Sequence, residues 1–329
     1  MRAVAMSRYG GPEVLRLEEV ARPEPAEGEI LVRVYSSAVN RSDTAYRSAH
    51  PWFARALTGL LRPRWRTAGS EFAGVVESVG AGVSEFRPGD RVFGESARTM
   101  GAHAEFIRVA ADGAVAPMPE GMTFEEAGAV VDGFILSLMG LRRVRIQEGE
   151  RVLVYGASGS IGTAGVQIAK HYGAHVTAVC ATPNLELARS LGADEVIDYT
   201  REDFARNGQT YDVILDAVGK RSYFQCRRSL AAGGRYIATE VGFLYHLPFV
   251  ILWTRFFGSR RVVLGIPVYR KGDVLLLKEL IEAGRYRAVV DRSYPLDEIV
   301  EAHRYVDSAQ KVGNVAITIV PDGGGAVGR

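Results

Sequence analysis

A chain of 329 residues is too long for one ordinary hydrophobic core and calls for about two domains. With 47% hydrophobic and 24% charged residues it has the balance of a folded globular protein, and a net charge of +2 is too small to make nucleic acid its main partner. Two cysteines, Cys180 and Cys226, exclude a disulfide framework and read as reduced, buried thiols of a cytoplasmic protein.

The N-terminus, Met1–Gly10, lacks the apolar core of a signal peptide. Strands are predicted over Met1–Met6 and Val14–Val20 around a Gly10-Gly-Pro12 turn, then over Glu29–Ala38, Glu71–Val79 and Asp90–Phe93. In Glu29–Ala38, Ile30, Val32, Val34 and Ser36 share one face, and the opposite face is partly apolar, as in a small barrel. Two short helices interrupt this β-rich third. One is Asp43–Ser48, with Ser42 as its expected cap; the other is Trp52–Leu61, with apolar residues at helical spacing.

From Thr123 the pattern changes to alternating helix and strand, which predicts βαβ units and a parallel sheet. The expected strands are Arg151–Tyr155, His175–Cys180, Glu195–Ile197, Tyr211–Asp216, Gly234–Thr239 and Arg261–Ile266. The expected helices are Thr123–Arg145, Ile161–Tyr172, Leu185–Leu191, Phe224–Leu230 and Val274–Ala283. Apolar runs such as Val152-Leu-Val154 suit strands covered on both faces. The run Phe243–Trp253 is too short to span a bilayer, and Phe243–Phe257 reads as a pocket wall or dimer contact rather than a membrane-surface element. A final strand, Asn314–Val320, precedes a Gly-rich tail, Asp322–Arg329, expected to be disordered.

The most informative segment is Tyr155-Gly-Ala-Ser-Gly-Ser-Ile-Gly162, which stands between a strand and a helix. Gly156, Gly159 and Gly162 are spaced G-x-x-G-x-x-G. Such a turn brings backbone N–H groups to a pyrophosphate at the positive end of a helix, and the third glycine lets helix and strand pack closely. A tight structural turn is the bland alternative; the strand before, the helix after and the second strand at Val176 favour a dinucleotide. The contacts expected in this turn are Gly156, Ala157, Ser158, Gly159, Ser160, Ile161 and Gly162. An NAD site places an acidic residue about 20 residues on, at the ribose hydroxyl. No acidic residue lies between Thr163 and Leu185, while Thr182 and Asn184 can donate hydrogen bonds there and Arg201 could add charge. NADPH is the expected cofactor.

Six motifs in this order resemble the medium-chain dehydrogenase/reductase superfamily, in its zinc-independent quinone oxidoreductase (zeta-crystallin-like) branch. They are Asn40-Arg-Ser-Asp43, Gly69–Val76, Phe86–Gly94, Tyr155–Gly162, Leu191–Tyr199 and Asp212–Gly219. The resemblance covers nearly the whole chain. It implies an α/β fold in which a GroES-like β-rich catalytic domain (1–122 and 268–329) is split around a Rossmann NADP-binding domain (123–267) with a doubly wound parallel sheet, the active site lying in the cleft. It also implies a homodimer joined at the sheet edge Arg261–Ile266, no metal, and hydride transfer to a quinone or other α,β-unsaturated carbonyl.

Zinc-dependent relatives carry cysteine where this chain has Asn40, and Gly-His-Glu where it has Gly69-Ser-Glu71. A structural zinc needs a four-cysteine lobe, and the two cysteines here lie in the other domain. His171 and His175, separated by Gly173, read as ordinary histidines.

By the same resemblance Asn40, Asp43 and Tyr46 would face the nicotinamide, Asn40 donating to a carbonyl oxygen, Asp43 fixing Asn40 or a water, and Tyr46 orienting substrate. Tyr199 and Asn184 would lie near the adenosine ribose. Val218, Gly242, Ile266 and Asn314 would complete the cofactor site. Asp132-Gly-Phe-Ile135 departs from the relatives' Gly-Leu-Thr, and 49–66 is bulkier and more basic than in short quinone reductases. These departures keep open a non-catalytic NADPH-binding redox sensor or RNA-binding crystallin-like module and, further back, an NADP-dependent alcohol dehydrogenase. The arginines among Trp52, Phe53 and Trp65 read as a solvated flap rather than a single-stranded nucleic-acid surface.

Overall fold

The computed structural model describes residues 1–50, 52, 55–96, 99–239, 247–257, 259–265 and 268–320. The expected contacts Gly242 and Ile266, the Gly-rich tail, and parts of the flap and of the apolar run lie outside the described residues. The chain forms two compact units, Met1–Asp132 with Tyr269–Arg329, and Gly133–Val268.

The first unit begins with β1 (Arg2–Ala5), β2 (Arg16–Glu19), β3 (Glu29–Val39), α1 (Arg41–Ser48), α2 (Arg55–Thr58), β4 (Glu71–Val79), β5 (Arg91–Glu95), β6 (Phe106–Ala110), β7 (Val115–Pro117) and α3 (Phe124–Ala127). Helix α4 (Val131–Arg143) leads into the second unit. There follow β8 (Arg151–Tyr155), α5 (Ser160–His171), β9 (His175–Cys180), α6 (Leu185–Ser190), β10 (Glu195–Asp198), β11 (Tyr211–Asp216), α7 (Tyr223–Cys226), β12 (Leu230–Ala238), α8 (Leu247–Phe257) and β13 (Arg261–Leu264). The chain returns to the first unit with α9 (Lys271–Glu282), β14 (Val290–Pro295), α10 (Ile299–Asp307) and β15 (Asn314–Thr318).

In the first unit a seven-stranded sheet runs β14-β15-β3-β4-β5-β7, with β6 paired to β3. Only β14 and β15 are parallel; the other pairs are antiparallel. Ile30, Val32 and Val34 point into a core with Phe72, Val76 and Val92, as the alternation in β3 predicts. Register shifts between Leu31 and Val32 and between Val34 and Ser36 bend β3, so it can pair with both β4 and β6.

The second unit holds a six-stranded, all-parallel sheet in the order β10-β9-β8-β11-β12-β13. By sequence that is 3-2-1-4-5-6, the doubly wound arrangement in which ligands bind beyond the strands' carboxyl ends. The central strands β8, β9 and β11 are buried almost throughout, because helices cover both faces.

Several expectations are corrected. Ser42 does not cap α1. The cap is Asn40, whose extended backbone lets its side chain accept the Asp43 N–H while Asp43 returns a bond to the Asn40 N–H. The helix expected over Thr123–Arg145 is two helices. Gly128 passes so close to Ser36 that a Cβ would lie 2.8 Å from its carbonyl oxygen, and the chain turns there. Of the helix expected over 52–61 the described residues show α2, which ends before Gly59, whose φ is +122°. The helix of 224–230 gives way to α7 and a 3-10 turn, because Leu230 already opens β12. Strands β6, β7 and β14 and helices α8 and α10 went unpredicted.

Candidate functional site

The second unit supplies a nucleotide-shaped turn. Gly156 has φ +85°, and a Cβ on it would meet the Val218 side chain at 2.4 Å, so Val218 closes over the turn. A Cβ on Gly162 would lie 2.0 Å from the Gly156 carbonyl oxygen, so only glycine lets α5 start this close to β8. Gly159 is the N-cap of α5 and has no side chain to satisfy the first N–H groups. Beside them the buried Ser160 hydroxyl has no hydrogen-bond partner among the described residues. Free N–H groups, an unmatched hydroxyl and the positive end of a 12-residue helix form a cradle that fits a diphosphate. Ala157 and Ile161 are buried beneath this turn, and Ser158 is half-buried at its rim.

Thr182, Asn184 and Tyr199 come together beyond the carboxyl ends of β9 and β10, because Asp198 is in register with Cys180 and the Tyr199 N–H donates to the Cys180 carbonyl. The sequence window stopping at Leu185 missed Asp198, which the register brings to the same place. The Thr182 hydroxyl donates to its carboxylate, as do the Thr200 N–H and hydroxyl. These bonds, led by Thr182 and Thr200 and helped by Arg201, hold Asp198 below the usual carboxylate range. Val218 is fixed by Asp216, which accepts from the N–H groups of Val218 and Gly219 and from the Tyr236 hydroxyl.

The first unit holds a buried polar cluster. Asn40 Nδ2 donates to Glu71 Oε2 at 3.0 Å, and Glu71 Oε1 accepts the N–H groups of Val131 and Asp132 at 2.6 and 2.9 Å. Asp132 accepts the Tyr269 hydroxyl at 2.8 Å and the Ser42 hydroxyl at 3.2 Å. Asp43 and Glu95 are buried nearby, with Asp43 Oδ1, both Glu95 carboxyl oxygens and the Ser70 hydroxyl lacking a partner among the described residues. Burial raises the pKa of Asp43, Glu71, Glu95 and Asp132, and mutual repulsion adds to it for Asp43, Glu71 and Glu95. Lys311, buried facing Asp132 and Glu71, is pushed down to about 8 by desolvation. Burial in this cluster thus favours the protonated form of its carboxyls.

Of the expected residues, Asn40 and Asp43 belong to this cluster. Tyr46 stands apart from its carboxyls: its hydroxyl donates to the Trp65 carbonyl and accepts the Trp65 N–H, and burial lifts it to about 12. Asn314 opens β15, with its amide donating to the Val289 carbonyl. Sequence reasoning missed Glu71, Glu95, Asp132, Tyr269 and Lys311. The readable signal was a carboxylate inside an apolar run, as at Glu71 before Phe72-Ala73 and Asp132 after Val130-Val131. Among the described residues no three His, Cys, Asp or Glu are grouped to hold a metal ion.

Two family models match the chain: an alcohol dehydrogenase GroES-like domain over residues 26–120 and a zinc-binding dehydrogenase domain over 191–317. The chain is 31% identical to an NADPH-dependent alkenal/one oxidoreductase of Arabidopsis thaliana, over 98% of its own length and 80% of that protein. It is 30% identical to a quinone oxidoreductase of Rattus norvegicus, over 97% and 98%. This chain belongs to the quinone oxidoreductase branch of the medium-chain dehydrogenase/reductase superfamily. The fold agrees with the quinone oxidoreductase structure from Coxiella burnetii, with a TM-score of 0.87 at 24% identity, covering 97% of this chain and 99% of that one.

The superfamily's two parts are both present, a GroES-like β domain and a Rossmann parallel sheet. As a member of this branch the protein is an oxidoreductase with a nicotinamide cofactor, and the turn before α5 has the shape to hold that cofactor's diphosphate. No helix among the described residues is long and apolar enough to cross a membrane.

Proposed function

We propose that this chain is a cytoplasmic, zinc-independent, NADPH-dependent reductase of quinones or other α,β-unsaturated carbonyls. The unit of 133–268 is its nucleotide domain and the unit of 1–132 and 269–329 its catalytic domain. The observation that carries the reading is the cradle at Gly156–Gly162, where free N–H groups and the unmatched Ser160 hydroxyl await an anion. The named relatives supply the acceptor class.

The nicotinamide supplies the hydride; the protein's part is positioning, polarisation and protons. Asn40 has one Nδ2 hydrogen beyond the bond to Glu71, and that hydrogen is free to polarise an acceptor carbonyl. Asp43 locks the Asn40 backbone, and Glu71 fixes the amide plane. Tyr46, tied to Trp65, shapes the wall rather than donating. The proton that must follow the hydride comes from the carboxyl cluster, with Ser42 as its exposed end and Asp132 behind it. Amide and hydroxyl stand where zinc-dependent relatives have cysteine and histidine, and neither is a ligand zinc favours.

NADPH is favoured by Asn184 and by the acid-free stretch 163–185. Asp198 favours a second reading, NADH, because a carboxylate beside Thr182 repels a 2′-phosphate. A homodimer through the open edge of β13 completes the proposal.

The test uses protein treated with a strong chelator. NADPH is supplied with 1,4-benzoquinone or a panel of small enones, and loss of reduced-nicotinamide absorbance is followed. Sustained oxidation of NADPH, faster than of NADH, supports the reading. Tight binding without turnover on every acceptor, or activity restored only by zinc, overturns it.

A further inference from the structure

The 49 residues of 217–265 carry eight Lys and Arg against one Asp or Glu, a net charge of +7 in a chain whose total is +2, so the remainder carries −5. Two of the eight cations are paired, Arg221 with Asp203 and Arg235 with Glu150. Arg227, Arg228, Arg255, Arg260 and Arg261 stand in no ion pair among the described residues. Phe224, Arg227, Arg228 and Arg260 line one surface depression, and Phe224 is 56% exposed.

Helix α8 adds an apolar stripe next to this basic ground. Val250 and Thr254 are buried, and Val250 packs with Val262 of β13 in the core of the second unit. The outward positions Phe249, Leu252 and Phe256 are 72, 58 and 68% exposed, at i, i+3 and i+7, with Arg255 beside them. Exposed large apolar residues on one helical stripe cost solvation unless something covers them. Arg255 on the helix and Arg260 and Arg261 just after it set basic residues next to an apolar helical face, the composition of an element lying in a lipid headgroup layer.

We propose that α8 and the arginines around it dock this protein on an anionic membrane surface, with Phe249, Leu252 and Phe256 entering the headgroup layer and the five unpaired arginines facing lipid phosphates. Charge decides between occupants. A second copy seated on the outward stripe of α8 would set Arg255 against its own counterpart, whereas the dimer proposed above uses the strand edge of β13 and leaves that stripe for lipid. Nucleic acid would satisfy the arginines but leave the Leu252 and Phe256 stripe in water. The proposal stands apart from the choice of acceptor. It takes up the membrane-surface reading that the sequence alone sets behind a pocket wall or dimer contact.

Vesicle co-sedimentation tests it with the full-length protein, using phosphatidylcholine alone and phosphatidylcholine with about a third phosphatidylglycerol. Wild type should favour the anionic vesicles by roughly tenfold or more, and lose that preference in high salt. F249S/L252S/F256S touches no buried side chain and should lose the binding while keeping NADPH affinity and melting temperature. R227E/R228E should bind both vesicle types equally weakly. Equal binding of wild type to both vesicle types overturns the proposal. So does a triple variant that sediments like wild type, one that turns a dimer into a monomer with lipid binding intact, or a single-stranded oligonucleotide that binds with vesicles present. None of these outcomes touches hydride transfer, so the activity assay above stands or falls separately.

Discussion

Asn40 and Glu71 hold each other: the Asn40 amide nitrogen sits 3.0 Å from Glu71 Oε2, and Asn40 is also the cap of the helix that carries Asp43 and Tyr46. One side chain thus anchors α1 and fixes a buried carboxylate. Asn40→Ala removes a cap, about 1 kcal/mol, and strands a buried acceptor, about 1–3 kcal/mol more. We expect a clear fall in melting temperature and a fall in kcat larger than any change in KM for NADPH. Asn40→Asp keeps the cap but faces Glu71 with a second charge, so it should retain more stability than Ala at acid pH and less at alkaline pH. Thermal unfolding across pH and steady-state kinetics on the three proteins check this.

Glu95 is buried with both carboxyl oxygens unpartnered among the described residues, and burial with nearby Asp132 and Glu71 raises its pKa well above normal. A raised carboxyl binds its proton more tightly folded than unfolded. Its contribution is therefore fully present below the unfolded pKa, about 4.3, and lost as pH rises toward the folded value. Glu95→Gln fills the same space without a proton to lose. It should raise the melting temperature at pH 8 and change it little at pH 4. Equal shifts at both pH values would contradict the reading.

His103 donates from Nε2 to the Ala38 carbonyl, so its buried Nδ1 carries no proton. Burial pushes its pKa down to about 4. The unfolded chain then binds more protons between pH 6.5 and 4, and stability falls as pH drops through that window. Denaturant unfolding at pH 7, 5.5 and 4.5 should show this loss, and His103→Gln, which can keep the bond to Ala38, should flatten it. An unchanged slope in the variant would contradict it.

Asp198 and Asn184 flank the proposed adenosine end. Asp198→Asn removes a carboxylate and should tighten NADPH relative to NADH, whereas Asn184→Asp should do the reverse by adding repulsion near the 2′-phosphate. Competitive titration with the two cofactors measures both ratios. If neither ratio moves, the adenosine end lies elsewhere.

The glycine turn was legible because its constraints are local. Gly156, Gly159 and Gly162 mark a turn whose reason is contained in eight residues, and the central strands announced themselves as apolar runs. The carboxyl cluster was not legible. Glu71, Glu95, Asp132 and Lys311 come from β4, β5, α4 and the approach to β15, and only the folded sheet collects them. Asp198 was missed for the same reason: strand register, rather than sequence distance, sets it beside Thr182. Strands β6 and β7 went unseen because they are short and the sheet supplies their stability.

The account depends most on a pyridine nucleotide lying over the first turn of α5. Calorimetric titration of NADPH into chelator-treated protein tests it directly, with Gly162→Val as the paired sample, because a side chain there collides with the Gly156 carbonyl oxygen at 2.0 Å. The account predicts one site per chain in wild type and affinity weakened by roughly a hundredfold or more in the variant. No heat of binding in wild type, or equal affinity in the two proteins, would contradict it.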